Sequence, residues 1–231
     1  GRPGVSRPPY DQVIPHSDGA GIIESVGDGV DPNRIGQRVW IWNGQWQRPF
    51  GTAATHIVLP QDQAVALADD VTFETAASFG IPGLTAAHAV FNGGDIAGQT
   101  LLVQGGAGTV GYIGHPVDQI IEVEFGVNIA LDAEVIKPNG RIAAYGSAKV
   151  MDPTLPFLPL LFKAVTIDIV LVYLLTEAQR SFAIEKLHDA LRQKAIDCPV
   201  ERIFALSETV QAHEAVEAGA RKGAILINCQ T

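Results

Sequence analysis

Cysteine is almost absent from this chain: Cys198 and Cys229 are the only two. Two thiols far apart in sequence make no disulfide framework and no cysteine-rich zinc site. Both are expected to be buried or inert, and a reducing, cytoplasmic setting is expected. Basic residues are also short. Sixteen Lys and Arg stand against 25 Asp and Glu, a net charge of -9, which argues against a phosphate-backbone partner because nucleic acid needs a basic surface. Long uninterrupted apolar runs are missing too. The longest, Leu155–Leu175, is broken by Pro156, Pro159, Lys163 and Asp168, and reads as loop, short helix and buried strand rather than a membrane span. The start of the chain is polar and proline-rich, with no signal-like segment expected. There is no internal repeat, no low-complexity tract, no Ser/His/Asp arrangement, no paired carboxylates and no metal-ligand set that the sequence pattern brings out.

What the chain does have is Thr100–Gln104, a short apolar strand, running into Gly105-Gly106-Ala107-Gly108-Thr109-Val110-Gly111. Gly106, Gly108 and Gly111 have the spacing G-x-G-x-x-G. In that pattern one glycine permits the tight turn, the next lets backbone N–H groups approach a pyrophosphate, and the third lets a helix pack on the strand. A dinucleotide then rests on the positive end of the helix. Tyr112–Pro116 does not read as that helix, and Val117–Val123 already reads as the next strand.

Three zones surround this motif. Up to about Gly80, the strands Gly19–Val26, Arg38–Trp42 and Ala53–Leu59 with turn signals between them predict a small barrel or sandwich. From about Phe73 the pattern alternates. Thr72 is a candidate N-cap, Thr85–Phe91 a helix closed by Asn92-Gly93-Gly94, Asn128–Ile136 a helix, and Arg141–Tyr145 and Val165–Tyr173 strands. Strands interleaved with helices predict a parallel sheet covered on both faces. From Thr176, a capping box with Gln179 opens a helix over Glu177–Arg192, followed by strand Val200–Leu206, a helix capped by Ser207, and strand Ala224–Cys229.

The ordered set Ser17-Asp18-Gly19-Ala20-Gly21, Gly36-Gln37-Arg38-Val39, Gly80-Ile81-Pro82-Gly83-Leu84-Thr85-Ala86, Gly105–Gly111, Gly140-Arg141, Gly146-Ser147 and Lys222-Gly223 resembles the quinone oxidoreductase (zeta-crystallin-like) branch of the medium-chain dehydrogenase/reductase superfamily. The resemblance implies an α/β protein with a GroES-like β-barrel domain, residues 1–83 and 177–231, and a Rossmann-type parallel-sheet domain, residues 84–176. It implies NADPH as cofactor and hydride transfer to a small hydrophobic quinone or enone. It places Thr85 at the nicotinamide, with packing inside its own helix as the other reading. Gly105, Gly106, Gly108, Thr109, Val110 and Gly111 would lie at the pyrophosphate, Gly146 and Ser147 at the ribose, and Val170, Leu171 and Val172 along the ring. Gly126 stands where relatives place a cofactor-contacting Asn, with Asn128 nearby as the substitute. A homodimer through the Val165–Tyr173 strand is implied as well.

Relative to that family, the barrel start is absent, and so is everything between the phosphate loop and Val117. Tyr112–Pro116 supplies five residues against the dozen or more of a parallel crossover. The sheet is therefore expected not to wind there, and the polypeptide is expected to be longer than the sequence in hand. Zinc-dependent cousins carry Gly-His-Glu where this chain has His16-Ser17-Asp18. The ligand position is Ser17, no metal is expected, and Asp18 is expected to make a turn or barrel hydrogen bond. His56, His88, His188 and His213 are expected in structural roles, and Trp40, Trp42 and Trp46 in packing. The activity expected is zinc-independent quinone reduction with no side chain assigned as catalytic. An alkenal or enone reductase and a non-catalytic nucleotide-binding protein are the alternatives.

Overall fold

The computed structural model describes residues 10–104, 116–196, 198–219 and 222–230. The phosphate-loop residues Gly105–Gly111 lie outside that set. The chain divides into two compact units, residues 1–83 with 190–231, and residues 84–189.

In the first unit, β1 (Gly19–Ile22), β2 (Arg38–Ile41) and β3 (Ala64–Ala66) form an antiparallel sheet in that order. Gly19 pairs with Ile41, and Val39 with Ala66. The β1–β2 connection turns through a short 3-10 helix capped by Asp31, whose carboxylate accepts from Asn33 N, and is closed by Gly36 at φ 83°. Trp40 is fully buried, with Phe79 edge-on at 5.9 Å. Trp42 is also buried, its indole N–H on the Asp62 carbonyl, while Trp46 lies at the surface. Arg38 fastens the following loop, donating to the carbonyls of Ala68, Asp69 and Val71 and lying over the Phe73 ring.

Ala53–Leu59 is not a strand. Thr52 and Ala53 donate to the carbonyls of His16 and Pro15 instead of to a ladder, and Val58 is 93% exposed. The third strand is β3, too short and too alanine-rich to show in the pattern. Thr72 does cap α1 (Phe73–Ala76), its hydroxyl accepting from Thr75 N. In the same unit β8 (Val200–Ala205) and β9 (Ala224–Asn228) pair in parallel, joined by α6 (Thr209–Glu217). Ser207 is not the cap. It sits in a 3-10 turn whose Glu208 carboxylate accepts from Ala205 N.

The second unit is a four-stranded parallel sheet, β4 (Leu101–Val103), β5 (Val117–Glu122), β6 (Ile136–Ala144) and β7 (Thr166–Ile169), in that spatial order. The direct β4–β5 pairing, Leu101 to Gln119 through Val103 to Ile121, corrects the expectation that the sheet could not wind here. The relevant connection is residues 104–116, thirteen in all, which meets the length a parallel crossover needs. Both faces are covered. Val117, Ile120, Ile142 and Ile136 pack with Ile129 and Ala133 of α3 (Phe125–Val135) and with Leu160 of α4 (Phe157–Phe162). On the other face Ile121, Ala143 and Val170 pack on Ala89 of α2 (Leu84–Phe91).

A polar network ties α2 down on that second face. Arg141 is ion-paired with Asp168 and donates to the Ala89 carbonyl at 2.7 Å. Asn92 donates to Asp168 at 3.1 Å, and Gln119 to the Ala89 carbonyl at 2.7 Å. The predicted strand Val165–Tyr173 is shorter than expected. Regular pairing stops at Ile169, Val170 N makes one more bond to the Ala144 carbonyl, and Val172–Leu174 turns into a 3-10 helix. The helix α5 (Glu177–Arg192) has its expected bounds and its capping box, with Gln179 N on the Thr176 hydroxyl and Thr176 N on the Gln179 amide oxygen.

Candidate functional site

The carboxyl ends of all four parallel strands lie along one edge. Glu122 is in register with Ala144, and Ala144 with Ile169. Gln104, the last described residue before the glycine run, donates its backbone N–H to Ile121 at 2.9 Å. Three of the sequence-derived groups leave the sheet at this edge: the entry to Gly105–Gly111, the Gly146-Ser147 corner, and Val170–Val172. In open parallel sheets the carboxyl edge is where ligands sit. Thr85 lies half-buried in the first turn of α2, and that helix packs on β6 and on the Val172–Leu174 turn.

The edge is held by hydrogen bonds that local sequence does not announce. Tyr145 N donates to the Glu122 carbonyl at 2.9 Å. Phe125 N donates to the Gly146 carbonyl at 3.0 Å, and Gly126 N to the Ser147 hydroxyl at 2.8 Å. The same hydroxyl donates to the Val150 carbonyl, and Lys149 N donates to the Glu124 carboxylate. Two of the N–H groups that begin every helix without partners are thus satisfied by the Gly146-Ser147 corner. That is why α3 starts at Phe125, three residues before the periodicity predicts. The corner has no room for side chains. A Cβ on Gly146 would lie 2.5 Å from the Val123 carbonyl oxygen, and one on Gly126 would collide with the Val150 carbonyl oxygen and the Ser147 hydroxyl. Val170 and Val172 are buried, and Leu171 between them is 47% exposed. Asn128 is turned inward, its amide donating to Glu122 at 3.1 Å.

A feature the sequence reading missed lies directly beneath this edge. Glu122, on β5, and Asp132, on α3, are both fully buried, and Gln104 is 6% exposed beside them. Asp132 faces Glu122 and Gln104, and its carboxyl is pushed up to about 7, first by burial and next by the Glu122 charge. The sequence signal was present. Asp132 sits between Ile129 and Ala133 on the apolar stripe of α3, and Glu122 has the inward phase of Ile120.

Away from the edge, in the first unit, Asp18 makes the turn hydrogen bond expected of it. Its carboxylate accepts from Ile81 N at 2.6 Å, and burial raises it to about 6 despite that bond. His16, at φ 77°, brings Nε2 to within 2.7 Å of His213 Nε2, and burial followed by the His213 charge lowers it. Ser17 accepts from Gln45 N at 3.4 Å. Among the described residues no group of three or more His, Cys, Asp or Glu side chains is gathered in a way that could hold a metal ion. Nor is any helix among them long and apolar enough to cross a membrane. Cys229 is half-buried against the Thr52 carbonyl, and burial raises its thiol.

Comparison with known proteins agrees with this arrangement. No protein-family model matches the chain. The synaptic vesicle membrane protein VAT-1 homolog of Rattus norvegicus is 33% identical over 146 residues, 61% of this chain and 34% of that protein. The quinone oxidoreductase of the same species is 37% identical over 107 residues, 46% of this chain and 31% of that protein. The chain thus spans about a third of the length of these relatives. Among solved structures, a quinone oxidoreductase from Pseudomonas syringae pv. tomato superposes with a TM-score of 0.75 at 20% identity, covering 97% of this chain and 85% of that one. A mycobacterial protein complexed with NADPH superposes with a TM-score of 0.72 at 21% identity, covering 92% and 82%. The fold, an α/β arrangement with a parallel sheet, is shared with these solved structures.

Proposed function

We propose that the chain is the NADPH-holding part of a cytoplasmic, zinc-independent reductase that passes hydride to a small hydrophobic quinone. The observation that carries this reading is the common edge. The strand leading into G-x-G-x-x-G, the Gly146-Ser147 corner and the Val170–Val172 segment leave one parallel sheet on one side. The fit rests on the crowded backbone at Gly146, where even a methyl group would meet the Val123 carbonyl. That bare corner leaves backbone, not side chain, to approach a ribose. NADPH, when bound, supplies the hydride. Gly105, Gly106, Gly108, Thr109, Val110 and Gly111 would offer N–H groups to its pyrophosphate, Gly146 and Ser147 would flank the ribose, and Val170–Val172 with Thr85 would border the ring. The chain's own contribution is orientation and exclusion of water. A quinone suits a site without an assigned acid, because a hydroquinone anion takes its proton from water.

The relatives named quinone oxidoreductase and the NADPH-complexed neighbour support the nucleotide and the redox class. The choice of quinone over enone rests on the absence of an assigned proton donor in the sequence. We further propose a homodimer through the outer β7 edge, where Ile169 is 70% exposed. The test is the loss of reduced-nicotinamide absorbance on mixing the protein with NADPH and a small quinone, alongside an enone. Turnover of the quinone supports the proposal. Turnover of the enone alone moves the reading to an enone reductase. Tight NADPH binding without turnover of either makes the protein a nucleotide binder.

A further inference from the structure

We propose that Glu122 and Asp132 hold a single proton between them, and that this one-proton carboxyl pair seats α3 on the sheet edge and positions the Gly146-Ser147 corner. The two carboxyls come from different elements and meet in the interior, both with no exposed surface. Glu122 Oε1 is engaged by the backbone N–H of Glu124 and by the Asn128 amide. Glu122 Oε2, both carboxyl oxygens of Asp132 and Nε2 of Gln104 are buried without a hydrogen-bond partner.

Among the described residues, the cations on the elements around the pair are engaged elsewhere or exposed. On the elements packed around the pair, Arg141 points to the opposite face and is ion-paired with Asp168. Lys137 pairs with Asp118. Lys163 donates to the carbonyls of Ala133, Glu134 and Ile136 at the far end of α3, and Lys149 is exposed. Tyr145, at the end of β6, is the other titratable group that senses the pair, its hydroxyl raised by burial and by the Glu122 charge. Two ionised carboxylates facing each other in an apolar site cannot both persist, and a shared proton is the arrangement such pairs adopt.

The consequence is positional. Glu122 ends β5, and its backbone carbonyl receives Tyr145 N. Asp132 lies on the inner stripe of the helix whose first N–H groups hold Gly146 and Ser147. Loss of the proton sets like charges across the β5–α3 contact and loosens the corner.

The test compares wild type with Glu122→Gln and Asp132→Asn, following melting temperature from about pH 5 to about pH 8. The wild type should lose stability as pH rises through neutrality. Both variants, in which an amide donates where the proton did, should lose that slope. Contributions from Asp18, His16 and His88 cancel in the difference. Wild-type and variant profiles that run parallel would overturn the proposal. If both variants fail to fold, infrared spectroscopy of the intact Asp18→Asn protein decides instead. A buried protonated-carboxyl band present on the acid side of neutrality and lost on the alkaline side supports the pair, and its absence at all pH values refutes it.

Discussion

Replacing Asp18 by Asn should stabilise the protein at neutral and alkaline pH and leave it nearly unchanged in acid. The Asp18 carboxyl is raised from 3.8 to about 6, because burial outweighs its hydrogen bond from Ile81 N. The native state therefore holds the proton more tightly than the unfolded chain does. Stability from this group is complete below the unfolded value, falls as pH rises, and is fully lost above the folded value. The shift is about two pKa units, each worth about 1.4 kcal/mol, so the pH-dependent part is about 3 kcal/mol. Asparagine keeps an oxygen for Ile81 N and has no charge to bury. Urea unfolding of both proteins at several pH values reads the effect directly. The stability advantage of Asp18→Asn should grow by about 2 kcal/mol between pH ~4 and pH ~7, the rest lying below pH ~4. Two stability curves with a constant offset across that range would show that the Asp18 carboxyl is not penalised by burial, and the argument would fail.

Gly126→Ala should weaken NADPH binding about tenfold, equivalent to about 1.4 kcal/mol, because its methyl displaces the Val150 carbonyl and the Ser147 hydroxyl; titration of nicotinamide fluorescence measures it. Arg141→Met should cost about 3 kcal/mol in urea unfolding, since it leaves the partly buried Asp168 charge without its cation. Ile169→Asp, at a 70% exposed position on the outer strand, should give a monomer by sedimentation equilibrium with little change in melting temperature.

Local signals in the chain were legible and distant ones were not. The Thr176/Gln179 capping box defines α5 because both partners lie within one turn. Strands interleaved with helices announce a parallel sheet covered on both faces, again from local signals. Ala53–Leu59 misled because its β-branched content mimics a strand, while the N–H groups at its start, Thr52 and Ala53, go to His16 and Pro15, nearly forty residues upstream. The start of α3 and the end of β7 were misplaced because tertiary bonds from Gly146, Ser147 and Ala144 set them. Glu122 and Asp132 escaped notice because each looks solitary in its own element, and only the packing of α3 on β5 brings them together. Gly146, Ser147 and Val170–Val172 were placed by resemblance, and the structure sets them along one edge.

The strand that feeds the glycine run has a neighbour on one side only. Among the described residues β4 is an outer strand, three residues long, bonded to β5 and to nothing beyond it, with Val103 53% exposed at its tip. Its amides should therefore exchange with solvent deuterium sooner than those of β5 or β6. A molecule gripping the residues just past Gln104 would have to immobilise this border strand as it binds. Occupancy would then be visible as slowed exchange at Leu101–Val103, far from any atom of the hydride path.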